Sequence, residues 1–141
     1  MKSALFFALL MLLNVQTKAS TTTAFDGTWS VTLRNQEFKN PDGSKSPAWT
    51  QRFLAYVKAG SMHGERGTRG APGWFEINGI IDPDGLAKLG AHGVTEGEKS
   101  NHGQLHAGTP YEYLVSARFK ARHGSGKSVG PRVSTFTFAR Q

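Results

Sequence analysis

Tyr111 to Arg122 alternates apolar and polar side chains with a period of two. Tyr111, Tyr113, Val115, Ala117, Phe119 and Ala121 take one parity; Glu112, Ser116, Arg118, Lys120 and Arg122 take the other. In an extended strand successive side chains point to opposite faces, so this spacing sorts the segment into an apolar face and a wet face. Phe25 to Leu33 repeats the pattern, with Phe25, Gly27, Trp29, Val31 and Leu33 on one parity. Trp49–Lys58 places Phe53, Ala55 and Val57 together, and Ser61–Glu65 reads as a short strand. Trp74–Ile81 turns Phe75, Ile77 and Ile81 inward, and Leu86–Thr95 does the same with Ala87, Leu89 and Ala91. Asp82-Pro83-Asp84-Gly85 stands between those two runs and joins them as a hairpin. Arg132–Arg140 is the last strand, with Ser134, Phe136, Phe138 and Arg140 on one side.

The residues between these runs read as loops: 35–48, turning at Asn40-Pro41-Asp42-Gly43; 96–108, with a weak strand around Gln104–His106; and 123–131. No helical period follows the first twenty residues. With 141 residues the chain has room for one domain, and 38% apolar residues suffice for a core. The expectation is an all-β fold: an antiparallel up-and-down meander of about eight strands, closed into a small barrel that removes its own edges. There is no cysteine, which excludes disulfides, thiolate zinc sites and iron–sulfur clusters.

Residues 1–19 follow a different logic. Lys2 precedes the uninterrupted apolar run Ala4–Leu13, and Thr17-Lys18-Ala19 offers small residues at −3 and −1 for cleavage before Ser20. This is the layout of a secretory signal peptide, with a second possible cut after Ala24. The run is too short to span a bilayer, which needs about 20 apolar residues. Residues 20–141 are therefore expected as one exported β-barrel domain, periplasmic or extracellular. Cleavage removes Lys2 and Lys18 from a chain of net charge +7, which stays basic.

Phe25-Asp26-Gly27-Thr28-Trp29-Ser30-Val31 resembles the opening strand of calycin barrels, the lipocalin and avidin superfamily, which carry Gly-x-Trp at that place. The resemblance implies that Trp29 plugs one barrel end and that Arg140, on the inward parity of the last strand, caps it by cation–π attraction. Biotin binding does not carry over, because the further tryptophans and polar ligands of avidins have no match. The mature chain also resembles small exported proteins of alphaproteobacteria. The matching segments are Gly27-Thr28-Trp29, Gly73-Trp74, Asp82-Pro83-Asp84-Gly85, Gly108-Thr109-Pro110-Tyr111 and Thr135-Phe136-Thr137-Phe138. That resemblance implies export and no particular activity. Relatives often carry two cysteines; this chain has none.

No constellation of catalytic residues emerges. Ala121 to Ser128 fits a relaxed phosphate-loop pattern, but Val129-Gly130-Pro131 follows it and cannot begin the required helix. Gly64, Gly67, Gly70 and Gly73 repeat every third residue for too short a stretch to form a triple helix. His102 and His106 lie four apart without supporting carboxylates, so no metal is assigned. Glu76 and Glu112 take outward parities, which argues against a shared acid–base cleft.

The sequence reading is thus a non-enzymatic barrel without cofactor, binding a small apolar or anionic ligand. The expected lining is Trp29, Val31, Phe53, Phe75, Ile77, Tyr111, Tyr113 and Phe136. The alternative is binding of acidic polysaccharide or other envelope or host partners. It would use a basic outer surface and loops, through Arg66, Arg69, Arg118, Lys120, Arg122 and Lys127. Aromatic residues do not interleave with those charges, so no specific nucleic-acid partner is expected. Nothing in the pattern specifies an oligomeric state.

Overall fold

A computed structural model describes residues 21–97, 106–129 and 133–141. Ten strands follow in order: β1 (Gly27–Asn35), β2 (Phe38–Lys39), β3 (Lys45–Ser46), β4 (Trp49–Lys58), β5 (Ser61–Arg66), β6 (Phe75–Ile81), β7 (Leu86–Val94), β8 (Pro110–Phe119), β9 (His123–Val129) and β10 (Ser134–Arg140). Eight of them close into an antiparallel barrel in the cyclic order β1-β4-β5-β6-β7-β8-β9-β10, while β2 and β3 pair only with each other. Each barrel strand pairs with its neighbour along the chain, apart from the β2–β3 excursion between β1 and β4, and β10 returns to β1. Among the described residues there is no helix, and so none long and apolar enough to cross a membrane. The proposed signal peptide and the weak strand at Gln104–His106 lie wholly or mostly outside the described residues.

The two ends of the barrel differ. One carries short turns. Asp82-Pro83-Asp84-Gly85 closes with Gly85 N–H donating to Asp82 O at 2.8 Å, and Gly85 takes a left-handed φ of 86°. Phe119 N–H donates to Gly85 O at 2.7 Å and Ile81 N–H to Gly60 O at 2.8 Å, which ties neighbouring turns together. The other end carries the longer connections 36–48, 67–74 and 95–109. Thr95 fastens the last of these: its N–H donates to Thr109 O at 2.9 Å and its Oγ1 accepts from Thr109 N–H at 2.9 Å.

The inward parity of the strands builds the core. Trp29, Val31, Leu33, Ala55, Phe75, Ile77, Leu89, Phe136 and Phe138 are almost wholly buried. Aromatic rings run in file from the short-turn end toward the long-loop end. Phe25 meets Phe119 at 6.2 Å, Phe119 meets Phe138 at 4.7 Å, Phe138 meets Phe136 at 6.3 Å, Phe136 meets Tyr113 at 6.5 Å, and Tyr113 stacks on Tyr111 at 6.2 Å. Burial weakens along this file, because Tyr111 and Tyr113 are only partly covered. Among the described residues the barrel is filled by rings at one end and holds a cleft at the other.

Three expectations need correction. The long alternation does not run unbroken to Arg122: β8 ends at Phe119, and Lys120 N–H donates to His123 O at 2.7 Å in a tight turn. Residues 123–131 were expected as a loop, yet His123–Val129 is a full barrel strand between β8 and β10. Its inward positions include Gly124 and Gly126, which carry no apolar side chain to mark it. A Cβ on Gly124 would stand 2.8 Å from the Phe119 ring, and one on Gly126 would stand 2.9 Å from Ala117 Cβ. Gly124 makes room for the Phe119 ring, and Gly126 permits the close approach of the neighbouring strand at Ala117 and Ser116 O. The 35–48 segment, too, is not wholly loop, since it holds the β2–β3 ribbon.

Candidate functional site

Two places gather polar side chains beyond what the strand faces require: a cleft at the open end and a charged cluster on the outer wall over β5 and β6.

The cleft encloses about 350 Å³. Its walls are Pro47, Trp49, Thr50 and Gln51 at the start of β4, Arg66 at the end of β5, Gly73, the β7 end at Val94, Thr95 and Glu96, and Tyr111 on β8. Trp49 and Gln51 share the parity of Phe53, Ala55 and Val57, so the strand that builds the core also carries these two polar groups to its rim. Trp49 Nε1 and Gln51 Oε1 are both buried without a hydrogen-bond partner. An orphaned buried donor or acceptor costs about 1–3 kcal/mol. A donor and an acceptor thus lie unpaired two residues apart on side chains that line the cleft.

Charge enters from two sides. Arg66 is half-buried and donates one weak bond, Nη1 to Gly73 O at 3.4 Å. Glu96 flanks the same glycine, since a Cβ on Gly73 would lie 3.5 Å from Glu96 Cδ. Neither Arg66 nor Glu96 has an ion-pair partner within 4.0 Å among the described residues.

The outer cluster is satisfied internally. Glu65 and Glu76 are Cα partners across β5 and β6, and His63 shares their face. Arg69, on the glycine-rich 67–74 loop, folds back over this face. Its Nη2 donates to Glu76 Oε1 at 2.7 Å, and its guanidinium lies 5.2 Å from the Trp74 ring centroid. Trp74 Nε1 donates to Glu65 Oε1 at 2.7 Å, and His63 Nδ1 meets Asn78 Oδ1 at 2.6 Å. The loop covers Glu76, which takes an outward position yet is only 8% exposed. Burial works to raise its carboxyl, but Asn78 and Arg69 more than offset that, so the group is held below the ordinary carboxylate value of 4.5. His63, Glu65 and Glu76 bring three possible ligand atoms within 4.8 Å of one another. The Arg69 guanidinium already pairs with both carboxylates, and the cluster is a clasp that holds the 67–74 loop to the barrel.

The residues expected to line a ligand separate by depth. Trp29, Val31, Phe53, Phe75, Ile77 and Phe136 are packed against one another in the buried core. Tyr111 alone of the eight borders the cleft, and Tyr113 stacks beneath it. The Arg140 guanidinium lies over the Trp29 ring, 5.8 Å from its centroid, and Trp29 Nε1 donates to Phe25 O at 2.8 Å.

The basic residues do not form one patch. Arg118 on β8 and Lys127 on β9 flank an outer groove with Leu86, Ser116 and Ser125, while Lys120 and Arg122 stand exposed at the adjoining turn. Arg66 lines the cleft and Arg69 closes the clasp, three strands away from β8. Trp49, Gln51 and Glu96 were not singled out from sequence. Gln51 carried a usable signal: a polar residue on an otherwise apolar parity.

Comparison of the chain with protein-family models, with curated proteins and with solved structures returned no match.

Proposed function

We propose that this chain is an exported, non-catalytic barrel that holds a small, partly apolar ligand at its open end. One observation carries the reading: Trp49 and Gln51 line one cleft, and each keeps a buried polar atom, Nε1–H and Oε1, without a partner beside it. Buried polar groups are ordinarily paired, and a fold that leaves two open in one concavity keeps them for something absent from the chain itself. Tyr111, Pro47 and Val94 supply apolar wall beside them. The plugged end supports the same division of labour, since the Trp29–Phe119–Phe138 core secures the barrel and leaves the rim free to bind. Export is part of this proposal through the amino-terminal pattern, and membership of the calycin barrels through Gly27-x-Trp29.

Native mass spectrometry of the protein purified from the periplasm tests the reading. A co-purifying small molecule that is absent from a Trp49→Phe, Gln51→Leu double variant supports it. A bare mass, together with no thermal shift from any small molecule in a broad set, counts against it.

A second reading rests on the groove flanked by Arg118 and Lys127, which would suit an acidic polysaccharide. Its signature is retention on heparin that collapses with salt and is lost in an Arg118→Ser, Lys127→Ser variant.

A further inference from the structure

The residues lining the cleft carry two charged groups without an ion-pair partner beside the two buried orphaned atoms, and the set has a pattern. Two are donors, the Arg66 guanidinium and Trp49 Nε1–H. Two are acceptors, the Glu96 carboxylate and Gln51 Oε1. Each kind comprises one charged and one neutral group. Arg66 and Glu96 border Gly73 without pairing with each other. Opposite charges kept apart at one rim, instead of collapsing into an ion pair, suit a guest that carries both charges.

Ligands of other kinds would use only part of this set. A neutral amide would satisfy Trp49 and Gln51 and leave both charges unmatched. A fatty or aromatic acid would occupy Arg66 and Trp49 and press its carboxylate toward Glu96. An amine would meet Glu96 and Gln51 and set its cation beside Arg66.

We propose that the cleft binds a small zwitterion, specifically a free α-amino acid with an apolar or aromatic side chain. This rests on reading the cleft as the ligand site. The carboxylate accepts from Arg66 and the ammonium donates to Glu96; rotation of the Trp49 and Gln51 side chains brings the buried Nε1–H and Oε1 to the same two groups, and the guest's side chain lies against Tyr111, Pro47 and Val94. The volume of about 350 Å³ suits a guest of that size. Because the guest carries no net charge, its affinity depends little on ionic strength, unlike that of a polyanion on the outer groove.

Isothermal titration of the exported protein with four probes tests this: L-phenylalanine, 3-phenylpropionate, phenethylamine and benzyl alcohol. The proposal expects L-phenylalanine to bind at least about tenfold more tightly than each of the other three, since each lost charged hydrogen bond is worth that much or more. Arg66→Gln should erase the preference over phenethylamine, and Glu96→Gln the preference over 3-phenylpropionate, with circular dichroism confirming that both variants fold. If 3-phenylpropionate or benzyl alcohol binds as well as L-phenylalanine, the zwitterion assignment is wrong while the cleft remains a ligand site. If none of the four binds, the assignment fails; the periplasmic mass measurement above then judges the cleft independently.

Discussion

Trp29 and Arg140 are direct Cα partners across the β1–β10 ladder, and the Arg140 guanidinium roofs the Trp29 ring at the plugged end. The same side chain reaches the carbonyls of Ala24 and Ala121, each at 3.1 Å, and that of Asp26. It therefore ties the segment before β1 and the β8–β9 turn to the last strand.

Arg140→Ala should cost about 2–4 kcal/mol of stability, from three carbonyl contacts and a cation–π contact. Arg140→Lys should recover less than half of that, because a single ammonium cannot span three carbonyls while lying flat on an indole. Urea unfolding followed by Trp fluorescence measures both. A loss below about 0.5 kcal/mol for the alanine variant would show that the cap is ornamental.

Gly124→Ala and Gly126→Ala should each destabilise by about 1–3 kcal/mol through overpacking. Trimming the obstacle should rescue only one of them. Phe119→Leu relieves the clash at Gly124, whereas at Gly126 the backbone Ser116 O also lies 3.0 Å from the added carbon. A double-mutant cycle between positions 119 and 124 reads the coupling.

Gln51→Leu should raise the stability of the ligand-free protein by about 1 kcal/mol, since it removes a buried acceptor that nothing satisfies. The expected gain in Tm is about 4 °C. The same change should weaken ligand binding. A stabilised variant that keeps full affinity would separate Gln51 from the site.

Glu76 gives the stability curve an acid limb. Its folded carboxyl lies below the ordinary value of 4.5, so the folded state binds its proton less readily than the unfolded chain does. The stability it contributes is present above about pH 4.5 and is lost as the pH falls from there through the depressed folded value. Glu76→Gln should flatten the fall in Tm over that range, as measured by calorimetry from pH 6 to pH 3. Arg69→Gln should also shrink the limb, because the carboxyl, still buried but without its guanidinium partner, rises toward its unfolded value and the two states then bind the proton more equally.

Much of the fold was legible because strand parity is a local property. Phe75, Ile77 and Ile81 announce their face with no knowledge of their neighbours, and Asp82-Pro83-Asp84-Gly85 announces its turn. β9 was not legible, because its inward glycines answer to Phe119 and Ala117 on another strand. The site was less legible still. Arg66 falls on the parity of Met62 and Gly64, and Gln51 on that of Phe53, so a polar residue at the end of an apolar face was the available sign of a rim. Parity alone marks the barrel-lining residues expected to touch a ligand. Parity says which residues point inward but not how far down the axis they sit.

The all-β character of this chain, the apolar face of most strands and the Asp82–Gly85 turn are all written in local sequence, because each follows from the steric and hydration preferences of a few adjacent residues. That rings fill one barrel end while a cleft lies among the described residues of the other is a product of strand closure. The same holds for Glu76 lying buried beneath Arg69, and for Trp49 and Gln51 going without partners. Those facts depend on which distant segments meet. A side chain's water, charge and space are set by neighbours that strand closure brings together, not by the residues next to it in the chain.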